Sequence, residues 1–164
     1  MLTLITGSAR SGKTRQALNT AIEMQPRIYI ATAQLLDEEM HERAARHRAE
    51  RGEHWQTVEE PLQVGQRLRE LSGVVVLDCL TLWLSNWMLR DESQLDRQID
   101  ELCSTLRSVP YHVIAITNEV GWSIVPDNAM ARRFRDWSGL MNQRVAAIAD
   151  SVVLMVCGIP TKVK

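Results

Sequence analysis

The sequence predicts a doubly wound α/β domain, a mostly parallel sheet flanked by helices, on three observations. Short apolar runs of strand length alternate with longer helical patterns along all 164 residues. Those runs are nearly continuous in apolar residues rather than alternating, the pattern of strands covered on both faces. The first run passes straight into a glycine-containing turn that opens a helix, Gly7–Thr14. This is a P-loop NTPase-like arrangement.

Taken in order, Leu2–Thr6 is a short strand ending at a glycine, and Lys13–Met24 is the helix that follows. Arg27–Ala31 (RIYIA) is a second strand. Asp37–Glu50, rich in Glu, Arg and Ala, is an exposed helix. Pro61–Leu71 is amphipathic with proline at its start, where the missing N–H costs nothing. Gly73–Asp78 (GVVVLD) is a third strand, and Leu80–Leu89 and Ser93–Arg107 are helices. Tyr111–Thr117 is a fourth strand, Asn128–Ala149 a long helix and Ser151–Cys157 a fifth strand. Arg51–Glu60 and Asn118–Asp127 read as loops. Ligands of such sheets sit at the carboxyl ends of the strands.

Composition bounds the function. The length suits one domain spanning 1–164, and 45% apolar residues supply a core. A net charge of −1 gives no basic field for nucleic acid or anionic lipid. Cys79, Cys103 and Cys157 form no CxxC pair, so they are expected as buried, reduced thiols rather than a disulfide framework or zinc site. Met1–Gly7 is too short and too quickly polar for a signal peptide. No apolar run approaches the roughly 20 residues of a membrane span. The expected compartment is the cytoplasm.

Gly7-Ser8-Ala9-Arg10-Ser11-Gly12-Lys13-Thr14 satisfies GxxxxGK[ST] at every fixed position. Gly7 and Gly12 let the backbone wrap closely around phosphate, and the N–H groups at the helix start face the anion. Lys13 is expected to reach the β- and γ-phosphates, and Thr14 to hold Mg²⁺ through its hydroxyl. Asp78, at the end of the third strand, is placed either as an acid near that Mg²⁺ or as the N-cap of the helix beginning at Leu80. Glu119, after the fourth strand, is either a γ-phosphate-side group or a plain loop carboxylate. The segment around it is not the NKxD guanine-reading motif.

Arg43, Arg46, His47, Arg48 and Arg51 cluster on one segment, with Arg43, His47 and Arg51 spaced by four. Guanidinium neighbours keep an imidazole neutral and hence nucleophilic, and they suit a departing pyrophosphate. The same pattern also describes a solvated helix face. Trp83 and Trp87 have the spacing of a core or subunit-contact stripe.

Taken together, Thr6–Thr14 (TGSARSGKT), Tyr29–Met40, Arg43–Arg51 (RAARHRAER), His54–Pro61, TNEVG…IVPDN (Thr117–Asn128), Ala131–Asp136, Asn142–Asp150 and the final GIPTKVK carry a resemblance. Over nearly its whole length the chain resembles the bifunctional adenosylcobinamide kinase/adenosylcobinamide-phosphate guanylyltransferase family of cobalamin biosynthesis. The resemblance implies phosphorylation of the aminopropanol hydroxyl of adenosylcobinamide by a nucleoside triphosphate, GTP or ATP. It further implies transfer of GMP from GTP to that phosphate through a guanylylated histidine, which falls on His47. It places nucleotide contacts on the P-loop, Thr32, Ala33, Gln34, Arg48, Ala49, Glu50, Arg51, Glu59 and Asp78, and implies a homotrimer. The alternatives are a P-loop small-molecule kinase without guanylyl transfer and a nucleotide-switch ATPase or GTPase.

Overall fold

The computed structural model describes residues 1–34, 42, 45, 48, 49 and 51–164. Its elements are β1 (Leu2–Gly7), α1 (Lys13–Thr20), β2 (Arg27–Ala31), β3 (Trp55–Glu59), α2 (Val64–Arg69), β4 (Val74–Asp78), α3 (Leu80–Asp91), α4 (Leu95–Ser108), β5 (His112–Ile116), α5 (Ala129–Ile148), β6 (Ser151–Val156) and β7 (Ile159–Lys162). A short 3₁₀ turn, Glu92–Gln94, links α3 to α4. The strands form one sheet in the order β3-β2-β4-β5-β1-β6-β7, parallel except for β7, which runs antiparallel to β6.

Both faces of β1, β2, β4 and β5 are covered, which is why these strands carry unbroken apolar runs. Leu2, Leu4, Ile28, Ile30, Val75, Leu77, Val113 and Ala115 point to one side. There they pack on α2, α3, α4 and α5 through Leu68, Trp83, Ile99 and Met141 among others. The alternate residues Ile5, Tyr29, Val74, Val76, Ile114 and Ile116 face the other side, against Ala17 and Ala21. Trp83 and Trp87 are core residues, and both donate their indole N–H to the Leu62 carbonyl, at 2.8 and 3.0 Å.

The sheet has two strands more than the five expected. Trp55–Glu59, expected as loop, is edge strand β3, paired on one side with β2. An edge strand need not be apolar throughout, and its half-exposed WQTVE lacks the unbroken run that betrays the central strands. The other addition is β7. Cys157 (φ 52°) and Gly158 (φ 82°) make a two-residue hairpin turn with both central residues left-handed. Pro160 is tolerated because β7 lies on the edge. Cys157 is therefore an exposed turn residue, not a buried strand thiol; Cys79 is buried and Cys103 half-buried.

Helix ends also shift. α1 ends at Thr20 rather than Met24. The helix expected from Pro61 begins at Val64, after a turn in which Glu60 Oε1 accepts from Leu62 N and Gln63 N. Of the helix expected over residues 37–50, the described Glu42, Ala45, Arg48 and Ala49 are helical and exposed. No helix among the described residues is long and apolar enough to cross a membrane.

Candidate active site

The strand order decides what meets the P-loop. β5 lies between β1 and β4, with Ile116 opposite both Ile5 and Asp78. The carboxyl ends of β1, β5 and β4 therefore present Gly7, the Thr117–Glu119 segment and Asp78 side by side.

At the end of β1 the chain turns sharply. Gly7 has φ +147°, and a Cβ there would lie 2.6 Å from the Met155 carbonyl oxygen and 2.9 Å from Ser11 Oγ. Arg10 (φ 56°) and Gly12 (φ 92°) are left-handed. Gly12 caps α1 without a side-chain hydrogen bond, and the first turn holds no acidic residue. Its N–H groups are left to an anion, the arrangement that binds phosphate at a helix N-terminus. Ser11 Oγ is buried and has no hydrogen-bond partner among the described residues.

Lys13 is 8% exposed, and its Nζ donates to the carbonyls of Ser8 (2.6 Å) and Gly7 (3.1 Å). Burial holds its pKa below the usual lysine value, against the pull of Asp78. Thr14 Oγ1 donates to Asp78 Oδ2 at 2.9 Å, and the Tyr29 phenol donates to the same oxygen at 2.5 Å. Burial, reinforced by Asp78, drives the Tyr29 pKa far above the usual phenol range. Asp78 is not the cap of α3: that role falls to Cys79, whose Sγ accepts from Leu82 N. Burial pushes the Cys79 thiol up to about 12, so it stays protonated.

The other expected contacts divide. Arg51 stacks its guanidinium 3.8 Å from the Tyr29 ring centroid and donates to Thr57 Oγ1 at 3.1 Å. Arg48 and Glu59 pair with one another at 2.7 Å in the open. Thr32 is fully buried, and its hydroxyl is engaged by the Cys79 main chain, donating to the carbonyl and accepting from the N–H. That side chain ties the end of β2 to the end of β4. Ala33 and Gln34 lie in coil after β2, and Ala49 is an exposed helical residue. His47 and Glu50 lie outside the described residues. A cavity of about 210 Å³ between α2 and α4, lined by Gln66, Arg69, Trp83 and Glu101 among others, shares no residue with these groups.

Sequence reasoning gave no role to Tyr29, Thr6 or Asn142. Tyr29 is the hub between Arg51 and Asp78; its signal is one hydroxyl inside an apolar strand. Thr6 Oγ1 donates to Glu119 Oε1 at 2.7 Å, and Asn142 Nδ2 lies 3.4 Å from the same oxygen. Asn142 is a polar residue on the buried face of α5, and that break in an apolar face is the signal by which the sequence could reveal it.

A positive-φ loop between strand and helix, a buried lysine at its rim and a hydroxyl–carboxylate pair beneath it define a P-loop nucleotide-binding domain. Solved structures agree at the level of fold. A protein from Pyrococcus horikoshii OT3 superposes with a TM-score of 0.61 at 8% identity, over 99% of this chain and 85% of that one. The RadB recombinase superposes with a TM-score of 0.51 at 18% identity, over 93% and 73%. The family model described as cobinamide kinase / cobinamide phosphate guanyltransferase matches residues 3–163, and the chain belongs to that family of bifunctional enzymes of adenosylcobalamin biosynthesis. It is 42% identical over 169 residues to the bifunctional adenosylcobalamin biosynthesis protein CobP of Pseudomonas aeruginosa, covering 100% of this chain and 98% of that one. To the bifunctional adenosylcobalamin biosynthesis protein CobU of Escherichia coli it is 40% identical over 185 residues, covering both chains completely.

Proposed function

We propose that one nucleotide cradle serves two successive transfers at phosphorus. In the first, the aminopropanol hydroxyl of adenosylcobinamide attacks the γ-phosphorus of a triphosphate. The new O–P bond forms as the bond to the β-phosphate oxygen breaks, and a nucleoside diphosphate leaves. In the second, a ring nitrogen of His47 attacks the α-phosphorus of GTP and pyrophosphate leaves. The phosphate oxygen of adenosylcobinamide phosphate then takes the GMP, breaking the P–N bond and giving adenosylcobinamide-GDP.

The observation that carries this reading is the Thr14–Asp78 contact at the foot of the phosphate loop. A hydroxyl and a carboxylate offer the hard oxygen donors that suit Mg²⁺, an ion bound by few protein ligands plus phosphates and water. Mg²⁺ held there would neutralise charge developing on the phosphate oxygens. Within the chain, Lys13 exchanges two carbonyl partners for phosphate oxygens, and the α1 N-terminus supplies main-chain donors. Arg51 supports the second transfer: it joins the end of the His47 segment, through Tyr29, to the acid at the metal position.

Incubation with Mg²⁺ and GTP labelled at the α-phosphate, followed by denaturation, tests the covalent step. Label on the chain that is acid-labile, base-stable and absent from His47→Ala is the expected result. An unlabelled chain that nevertheless binds GTP would leave a kinase without guanylyl transfer.

A further inference from the structure

We propose that Glu119 is the general base of the kinase step, accepting the proton of the corrinoid hydroxyl as that oxygen attacks the γ-phosphorus; this rests on the cradle reading above. The placement follows from topology. β5 is the strand between the P-loop strand and the strand bearing Asp78, so its carboxyl end opens between the two. Glu119 N–H donates to the Gly7 carbonyl at 3.2 Å, and Lys13 Nζ donates to that same oxygen at 3.1 Å. The main chain of Glu119 and the ammonium expected on the β- and γ-phosphates thus meet at one atom.

The carboxylate is held in place by buried groups. Oε1 accepts from Thr6 Oγ1 and Asn142 Nδ2, whose residues are 7% and 8% exposed. Asn142 is fixed in turn: its Oδ1 accepts from Thr117 Oγ1 at 2.7 Å, and its Nδ2 also reaches the Asn118 carbonyl at 3.1 Å. Asn118 donates twice to Thr81 Oγ1. Five polar residues buried or half-buried at one strand end are costly unless mutually satisfied, and here Thr6 and Asn142 hold Glu119 directly while Thr117, Asn118 and Thr81 brace Asn142 and its neighbours.

Oε2 accepts no hydrogen bond among the described residues, so one oxygen is fixed and the other is left for a proton. Asp78 is unsuited to that task because, paired with the Thr14 hydroxyl, it is the carboxylate assigned to Mg²⁺, with which a proton would compete. Beyond Glu119 the loop turns apolar and outward, with Trp122 70% and Ile124 93% exposed. That surface suits a large, flat acceptor rather than a second nucleotide.

In the reaction the acceptor O–H bond breaks toward Glu119 while its oxygen bonds to phosphorus. The proton returns to solvent after the diphosphate departs.

The test compares Glu119→Gln with wild type in three assays: triphosphate titration, diphosphate release with cobinamide as acceptor, and GMP transfer to supplied cobinamide phosphate. Kinase kcat is expected to fall by about 10²–10⁴-fold, with triphosphate Kd within about threefold of wild type. GMP transfer should fall far less, and the acidic limb of the kinase pH profile should vanish. Thr6→Val, which removes one of the two donors to Oε1 but keeps the carboxylate, should retain that limb with a lower kcat. A kinase kcat within about threefold of wild type would overturn the proposal, as would a retained acidic limb or equal loss of both transfers. A wild-type chain that binds no triphosphate would sink the cradle reading and Glu119 together. Normal binding with an unimpaired variant sinks Glu119 alone.

Discussion

At the scale of single residues, the P-loop was legible because its chemistry is local. A loop that wraps an anion needs glycine where a Cβ would strike the backbone, and it needs lysine and a hydroxyl at fixed offsets. Gly7 shows the constraint: its φ is +147°, and the methyl group of an alanine would sit 2.6 Å from the Met155 carbonyl oxygen. Gly7→Ala is expected to cost about 1–3 kcal/mol of stability and to weaken triphosphate binding, read by urea unfolding and nucleotide titration. The partners assembled across the fold were not legible. Tyr29, Thr6 and Asn142 acquire their contacts only when elements remote in sequence become neighbours, and Arg51, assigned to the nucleotide by resemblance, meets the Tyr29 ring in the same way. Thr32 illustrates the converse: a residue assigned by resemblance to the ligand has its hydroxyl committed to the Cys79 main chain.

At the scale of elements, continuity of apolar residues identified the five central strands, and turn chemistry failed for the edges. β7 hid behind Pro160 and a Cys-Gly turn, whereas hairpins of this type favour Asn-Gly or Asp-Gly. β3 hid behind a half-polar sequence. Helix starts were clearest where a cap is present. Asn128 Oδ1 accepts from Met130 N at 2.8 Å and Ala131 N at 3.2 Å, fixing the start of the 20-residue α5. Asn128→Ala should destabilise the protein by about 1 kcal/mol, seen as a lower urea midpoint with an unchanged slope. Because Asn142 lies well along α5, fraying from the capped end should not reach the Glu119 network, and kinase kcat should hold.

Across the whole molecule, apolar packing covers both faces of the central strands, and a histidine sits half-buried where one of them begins. His112, at the start of β5, contacts Thr3 Oγ1 through Nε2 at 3.0 Å, while its buried Nδ1 has no partner among the described residues. Burial, helped by the N-terminal ammonium and opposed by Asp150, holds its pKa below the ordinary 6.5. The unfolded chain therefore takes up a proton near 6.5 that the native state refuses until lower pH. Between those two values the unfolded state binds more protons, so stability falls as pH falls. Urea midpoints at about pH 7.5 and about pH 5.5 should show this loss in wild type and a smaller one in His112→Gln. The sheet order has a further consequence, for modularity. The phosphate loop, Asp78 and Glu119 lie at the carboxyl ends of β1, β4 and β5 in the centre of the sheet. The basic segment lies in the one excursion between β2 and β3, and β3 hydrogen-bonds to the sheet on a single side. On the proposed reading, the nucleophile of guanylyl transfer belongs to the chain between β2 and the edge strand β3, while the phosphate cradle it draws on belongs to the central strands. A strand bonded on one side opens at lower cost than one bonded on both, so on that reading guanylyl transfer should be lost at a lower urea concentration than phosphoryl transfer.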